Sequence, residues 1–398
     1  MKKLTLLFLL VSTISFGQIQ LSDKAEISVL TLGPWQGQVY TAFGHSAFRV
    51  NDPANNIDAA YNYGVFNFDR PNFYLNFAKG HNYYMLGVSD YKRFEYAYIY
   101  FDRYIHEQKL NLSQRQKQRL FDYLEWNAKP ENAEYLYDYF YDNCATKIPA
   151  VMQKVFGDTI RFDSSHIKTN YTIRELTDLY LTHQPWGDLG IDICLGLPMD
   201  KKATPYEYMF LPDYVEAGFN HATIRSNGIE EPLVKESTVL YESQHNTPPN
   251  TLVHPLLVFG IVFLIVGVVS YRDMKRRKVT QWLDIILFTI VGFVGVLLFV
   301  LWVATDHKAA AKNLNLLWAL PTHVITIFAM LRNPKWLMNY FLVTAIIALL
   351  LLGMWPFLPQ KLHYALIPLV MALGVRAFTQ YIIRKEAVKR EMKNPQPA

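Results

Sequence analysis

The sequence predicts an α+β domain followed by a bundle of five transmembrane helices. Of the 398 residues 51% are hydrophobic, but the long apolar segments all lie after residue 250. The part before residue 250 is rich in tyrosine, carries both charges and mixes strand-like with helix-like patterns, as a folded aqueous domain does. Because the two parts differ so strongly in composition, a single soluble domain is excluded.

The first 17 residues have the pattern of a secretory signal peptide. Lys2 and Lys3 precede the apolar stretch 4–16, and Gly17 follows at the expected cleavage point. We therefore expect residues 18–242 to be exported as one domain. The alternative is a signal anchor that is never cleaved, although this apolar stretch is short for a membrane span. Both versions place the domain outside the cytoplasm.

The exported part predicts an α+β fold. Residues 26–32, 46–50 and 59–66 are strand-like runs, whereas residues 113–126 and 172–181 are helix-like. Strands and helices are therefore both expected in this domain.

Five apolar segments predict five transmembrane helices, each near the length that a bilayer core requires. A polar linker at 243–251, which contains Pro248 and Pro249, separates them from the exported part. The predicted spans are residues 252–271, 282–305, 314–331, 337–357 and 364–383, in a membrane domain at 252–385 that is followed by a cytoplasmic tail at 386–398.

The basic residues between the spans predict the orientation. If the first span enters from outside, the cytoplasmic segments hold twelve lysines and arginines and the outer loops hold three. Positive residues are retained on the cytoplasmic side, so the N-terminal domain faces outward. These runs also account for the net charge of +5, and no nucleic-acid partner is expected.

Cys144 is the candidate nucleophile. It follows Asp142 and Asn143, which are favourable N-cap residues, so a helix is expected to begin there and to end at Gly157. The positive end of the helix dipole and the nearby Lys147 would lower the pKa of the thiol. The free N–H groups of the first turn could stabilise an oxyanion.

Two observations leave other interpretations of Cys144 open. Pro149 lies inside the proposed first turns, so the helix is either kinked or begins later, with Cys144 in the loop before it. Cys194 is the second of the two cysteines in the chain, and a pair of cysteines in an oxidising compartment can form a disulfide.

A nucleophilic cysteine needs a base, and His45 is the best candidate. Gly44 permits close approach of the backbone, and the residues after His45 alternate like a strand. A third residue should orient the imidazole, and Asn62 or Asp58 could do so. The rival bases, which we interpret as surface or structural residues, are His81, His106, His166, His183 and His221.

Three further residues are candidates for substrate binding. Arg174 carries a guanidinium that matches a phosphate, although an ion pair with a surface carboxylate would explain it equally well. Asp306 and His307 lie in the outer loop between the second and third spans, where they could contact a lipid head group, or could belong to an ordinary solvated loop. The chain contains no HExxH, CxxC or glycine-rich phosphate loop, so neither a metal nor a cofactor is expected.

The order of these motifs resembles a known family. Gly44-His45-Ser46, followed much later by Asn143-Cys144-Ala145-Thr146, is similar to circularly permuted papain-like (NlpC/P60-like) enzymes, in which the histidine strand precedes the cysteine helix. The whole chain resembles more closely the Lnb-type lipoprotein N-acyltransferases of Bacteroidota. The further segments that carry this resemblance are 172–176, 190–198, 210–214, 306–307 and 313–318.

The resemblance implies a multi-pass protein of the inner (cytoplasmic) membrane with a periplasmic catalytic domain. It implies transfer of an acyl chain from a phospholipid to the N-terminal cysteine amine of a diacylated lipoprotein. The acyl chain would pass through a thioester on Cys144, with His45 as the base. Two alternatives remain: a membrane-anchored NlpC/P60-like cell-wall amidase or peptidase, and a non-enzymatic membrane scaffold with a disulfide-bonded exported domain.

Overall fold

The computed structural model describes residues 19–226, 228–244 and 253–393. The predicted signal peptide at 1–17, most of the predicted linker at 243–251 and the end of the cytoplasmic tail lie outside the described residues. These three predictions therefore stay predictions.

The strands of the N-terminal domain form two antiparallel sheets. Their bounds are β1 Glu26–Leu32, β2 His45–Asp52, β3 Ile57–Val65, β4 Tyr83–Asp90, β5 Ile105–Leu110, β6 Glu134–Leu136, β7 Ile160–Arg161, β8 Thr223–Ser226, β9 Ile229–Pro232 and β10 Val234–Tyr241. The larger sheet has the order β10-β5-β1-β2-β3-β4-β6, and the smaller has the order β7-β8-β9.

Nine α-helices are described in the same domain. They are α1 Phe73–Lys79, α2 Tyr91–Tyr100, α3 Gln114–Ala128, α4 Pro130–Ala133, α5 Cys144–Phe156, α6 Ile173–Leu181, α7 Pro185–Cys194, α8 Pro205–Tyr208 and α9 Pro212–Asn220. Helices α3, α5 and α9 pack on one face of the larger sheet and close the main core, in which Phe48, Tyr61, Leu120, Ile148 and Phe219 are buried. Since successive side chains of a strand point to opposite faces, this face collects every second residue of β2 and β3.

The second half of the chain is helical. Its α-helices are α10 Pro255–Arg276, α11 Gln281–Val303, α12 His323–Arg332, α13 Trp336–Met354 and α14 Ile367–Lys393. By length and composition four of them, all except α12, are able to cross a membrane. The predicted fold class, an α+β domain with the histidine strand before the cysteine helix followed by a helical membrane domain, is confirmed.

The third predicted span differs from the expectation. Instead of one helix over 314–331, the structure has a 3₁₀ turn at Leu314–Leu317, a non-helical stretch and the ten-residue helix α12. An α-helix of that length rises about 15 Å, roughly half of a bilayer core. The backbone at the start of this segment does not form an α-helix because its polar side chains bind the N-terminal domain.

Three amide side chains of the membrane domain hold the end of α7. Asn313 donates its Nδ2 to the carbonyl of Ile193 at 2.7 Å, and Asn315 donates to the same oxygen at 3.2 Å. Gln360 donates its Nε2 to the carbonyl of Leu195 at 2.9 Å. The last carbonyls of a helix have no partner within it, so these bonds satisfy them and fix the two domains together.

Gly196 lies at the closest approach of the two domains. Its N–H donates to the carbonyl of Ala309 at 2.7 Å, and a Cβ at position 196 would lie 1.9 Å from the carbonyl oxygen of Ala311. A Cβ at Gly190, in the same region, would meet no atom within 4 Å.

We therefore expect Gly196→Ala to destabilise the protein by about 1–3 kcal/mol, because the added carbon forces the domains apart. Thermal unfolding of the detergent-solubilised protein measures this effect. Gly190→Ala is the matched control and should leave the midpoint unchanged or slightly raised. Equal midpoints for the two variants would contradict the tight docking at residue 196.

Candidate active site

Cys144 is the first residue of α5. Asn143 is the N-cap, and its Oδ1 accepts hydrogen bonds from the N–H groups of Ala145 and Thr146, both at 2.9 Å. The hydroxyl of Thr146 in turn accepts from the N–H of Asn143 at 2.7 Å. This reciprocal capping fixes the first turn, and Cys144 is only 9% exposed.

The expected start of this helix is confirmed, whereas the expected effect of Lys147 is not. The helix runs from Cys144 to Phe156 with Pro149 inside it, so it does not begin later, and the proline removes a single backbone donor. The ammonium of Lys147 pairs with Asp142 at 2.8 Å and lies 3.9 Å from the centre of the Tyr135 ring, so a carboxylate compensates its charge.

His45 is the first residue of β2, at the end of the sheet that faces α5. Gly44 precedes it at φ +77°, and a Cβ there would lie 2.8 Å from the carbonyl oxygen of Leu32, so the turn into the strand requires glycine. The neighbouring strand β3 supplies Asn62, whose Oδ1 lies 2.5 Å from Nε2 of His45. An amide oxygen accepts, so Nε2 carries the proton and Nδ1 is left for the sulfur.

The structure brings Cys144, His45 and Asn62 together and excludes Asp58. Asp58 lies four residues before Asn62 on β3, and it pairs with Arg49 at 2.8 Å. Of the rival bases, His81 contacts Asp306 at 2.8 Å and His106 contacts Glu216 at 3.1 Å, both away from the sulfur.

The thiol and the imidazole shift each other's proton affinity. Burial raises the pKa of Cys144, but the charge of His45, a hydrogen bond to its ring and the backbone N–H groups of Ser46 and Ala145 lower it below the ordinary value. Burial lowers the pKa of His45, but the charge of Cys144 and hydrogen bonds to Cys144 and Asn62 raise it above the ordinary value. Both shifts favour a thiolate paired with an imidazolium.

Sequence reasoning missed two residues beside this pair, Arg103 and Tyr98. The Tyr98 ring stacks on the His45 ring, with 6.3 Å between the ring centroids. The Arg103 guanidinium lies 4.6 Å from the centre of the Tyr98 ring. The charge of Arg103 acts on both Cys144 and His45. No motif distinguishes these residues. They reach the site from α2 and the loop after it, which are distant in the chain from the segments that contain His45 and Cys144.

Arg174 does not contact lipid, and that prediction is wrong. The side chain is fully buried and pairs with Asp192 at 2.7 Å and with Asp200 at 3.0 Å. Its remaining donors bind the carbonyls of Leu195 and Gly196. Arg174 therefore ties α6 to the end of α7, and it has no donor left for a phosphate.

Asp306 and His307 bind the N-terminal domain. The Asp306 N–H donates to the carbonyl of Lys79 at 2.8 Å, and Nε2 of His307 lies 3.1 Å from the carbonyl of Phe77. Their loop therefore docks on α1. Both side chains keep an exposed part, so their predicted contact with a lipid head group stays a prediction.

One acidic cluster has the geometry to hold a cation. Ligand oxygens of Asp178, Asp188 and Asp192 lie within 4.8 Å of one another. Each carboxylate already has a cationic or imidazole partner, since Lys361 binds Asp178 at 2.9 Å and His363 contacts Asp188 at 3.1 Å, while Arg174 holds Asp192. Burial and the charge of Asp178 raise the pKa of Asp192 to about 7.

The two cysteines are free thiols in different parts of the fold. Cys144 belongs to the core of the N-terminal domain, whereas Cys194 ends α7 and packs against the core of the membrane domain. Burial raises the pKa of Cys194, which makes it a poor nucleophile. The alternative of a disulfide between Cys144 and Cys194 is therefore wrong.

The fold and the site together define a papain-like domain with a cysteine–histidine pair, docked on a helical membrane domain. A family model described as Lnb N-terminal periplasmic domain matches residues 17–179, and one described as Lnb transmembrane domain matches residues 247–387. The two cover more than two thirds of the chain, which belongs to the Lnb family. The chain is thus a multi-pass membrane protein with a periplasmic domain, and its family membership indicates an enzyme. No protein in the curated set and no solved structure matches it.

Proposed function

We propose that the protein is a lipoprotein N-acyltransferase of the inner membrane. It would move an acyl chain from a phospholipid to the N-terminal cysteine amine of a diacylated lipoprotein. The observation that carries this proposal is the Cys144 thiol next to the His45 imidazole, in a domain that is hydrogen-bonded to the membrane domain.

The site supports a two-step acyl transfer. In the first step the Cys144 thiolate attacks the ester carbonyl of the phospholipid, the carbon–oxygen bond breaks, and His45 gives its proton to the lysophospholipid oxygen. In the second step the lipoprotein amine attacks the thioester, His45 accepts the amine proton, and the thiolate leaves. The first step leaves His45 neutral, and the second step restores the imidazolium and the thiolate, so the two steps together return the pair to its starting protonation state.

An oxyanion donor is available at the start of α5. The N–H of Cys144 has no hydrogen-bond partner among the described residues, and it lies at the positive end of a thirteen-residue helix. Each step develops negative charge on the former carbonyl oxygen. The Cys144 N–H would stabilise that charge.

A row of aromatic rings supports a lipid substrate over a water-soluble one. It begins at α1, which docks on the Asp306–His307 loop and therefore lies at the membrane surface. Phe73 contacts Phe66, Phe66 contacts Tyr84 and Tyr84 contacts Tyr137, with centroid distances of 6.2, 5.1 and 4.4 Å. Tyr137 approaches Gly64 beside the Cβ of Cys144. An acyl chain that follows these rings would stay out of water between the bilayer and the nucleophile.

The test is reconstitution of the reaction. The full chain in detergent micelles is incubated with a phospholipid that carries a labelled acyl chain and with a synthetic diacylated lipopeptide. The proposal expects a labelled triacylated lipopeptide with an amide at its N-terminus. Label that is released only as free fatty acid would reject it, and cleavage of a muropeptide would favour the amidase alternative.

Asn62 should act by positioning His45. We expect Asn62→Ala to lower kcat about 10- to 100-fold with little change in KM, because it removes a hydrogen bond to a charged ring. That bond raises the pKa of His45, so its loss lowers this pKa and moves the alkaline limb of the rate profile to lower pH.

The pH profile distinguishes a role of Asn62 in positioning His45 from a general destabilisation of the fold. Asn55→Ala is the control, since Asn55 is exposed at the far end of β2 and β3, and should leave both rate and profile unchanged. An Asn62→Ala variant with a wild-type profile would contradict the role of Asn62.

A further inference from the structure

Arg103 is a buried cation without an anionic partner. It is 9% exposed, and its Nε donates to the carbonyl of Gly33 at 2.6 Å. Its guanidinium lies 4.6 Å from the centre of the Tyr98 ring. Among the described residues no carboxylate forms an ion pair with it, and its two terminal nitrogens make no hydrogen bond with the protein.

The two other buried arginines of the described chain, Arg174 and Arg376, and the partly buried Arg49 behave differently. Arg174 pairs with two aspartates, Arg376 pairs with Asp273 and Asp284, and Arg49 pairs with an aspartate and a glutamate. Such pairing is the rule, because burial of an isolated charge costs free energy unless an opposite charge compensates it. The exception at Arg103 therefore indicates that an anion completes the site.

The position of Arg103 identifies the class of anion. The Tyr98 ring contacts both the Arg103 guanidinium and the His45 ring, and the charges of Arg103 and Cys144 act on each other. The thiolate itself is not the missing partner, since His45 already pairs with it. The ligand is therefore an anion that enters beside the nucleophile together with the group that the nucleophile attacks.

We propose that Arg103 binds the phosphate of the phospholipid donor while the acyl ester lies at Cys144. This inference rests on the proposed function. A phosphodiester offers two oxygens to the two free guanidinium nitrogens, and the glycerol unit separates it by a few bonds from the acyl ester. Arg103 would thus select a phospholipid over a diacylglycerol and would place the ester.

The test compares two short-chain lipids, dihexanoyl phosphatidylcholine and dihexanoylglycerol, which lacks the phosphate. The readout is the protection of Cys144 in the full chain from alkylation by iodoacetamide, expressed as the ratio of rates with and without lipid. This ratio cancels any effect of Arg103 on the reactivity of the thiol itself. Arg103→Gln removes the charge, Arg103→Lys retains it, and thermal unfolding verifies that each variant folds.

We expect the wild type to require about 10- to 100-fold more diacylglycerol than phospholipid for half-protection, the range of a charge-assisted hydrogen bond. Arg103→Gln should abolish this preference and Arg103→Lys should retain part of it. If the wild type and Arg103→Gln show the same preference for phospholipid over diacylglycerol, the inference is overturned. If Arg103→Gln does not fold, the wild type alone decides, and a wild type without this preference also overturns the inference. Neither result affects the proposed function, which fails separately if the phospholipid donates no acyl chain to the lipopeptide.

Discussion

Cys144→Ala should abolish acyl transfer to the lipopeptide, with a loss of about 10⁴-fold or more in rate. The reason is that the acyl chain has no other nucleophile to carry it between the two lipids. Initial rates with labelled phospholipid measure the loss. Because Cys144 is buried at a capped helix start, a thermal unfolding curve accompanies each rate to show that the variant folds.

The chain offers a matched control in its other cysteine. Cys194 is also a free thiol, but it lies at the end of α7 against the membrane domain and its pKa is raised by burial. Cys194→Ala should retain activity within about threefold, since it removes one partly buried sulfur outside the site. Full activity of Cys144→Ala, or loss of activity in Cys194→Ala alone, would contradict the assignment of the nucleophile.

His45→Ala should lower acyl transfer by about 10²- to 10⁴-fold, the usual contribution of a general acid–base residue. It should also change the reactivity of Cys144 towards iodoacetamide. The charge and hydrogen bond of His45 lower the pKa of Cys144 while burial raises it. Without His45 only burial and the two backbone N–H groups remain, so the pKa of the thiol rises.

The sign of the pH effect follows from this change. In the wild type, thiolate is present below the ordinary pKa of a free cysteine, about 8.5, so alkylation persists towards neutral and lower pH. In His45→Ala the midpoint of alkylation should move above that value. His221→Ala is the control, because the exposed His221 ring contacts the carbonyl of Ala217 and the His166 ring and neither Cys144 nor His45. An unshifted midpoint in His45→Ala would show that the two side chains are not coupled.

The sequence predicted the strands and helices that hold the site because their patterns are local. β1 has the predicted bounds, and β2, β3, α3 and α6 differ from the predictions by at most two residues. Helix α6 begins one residue late because Thr172 is its N-cap, with Glu175 completing the capping box. Cys144 could be recognised from its N-cap, and His45 from the glycine before it.

Other features depend on contacts between distant segments, which no local pattern shows. Arg174 was interpreted as a phosphate ligand because its partners, Asp192 and Asp200, lie on later elements. The apolar composition of 314–331 predicts a third span, but Asn313 just before this segment and Asn315 within it bind α7 across the domain boundary. Arg103 has no local motif, and only its burial together with the lack of an ion pair among the described residues distinguishes it.

The most direct test of the account is the detection of the acyl-enzyme. The full chain is incubated with phospholipid in the absence of an acceptor, digested, and analysed by mass spectrometry of the peptide that contains Cys144. The account predicts that this peptide gains the mass of one acyl group, that neutral hydroxylamine removes it, and that addition of the diacylated lipopeptide transfers it. Absence of any adduct at Cys144 without acceptor, from an enzyme preparation that forms the triacylated product once the lipopeptide is added, would contradict the thioester mechanism.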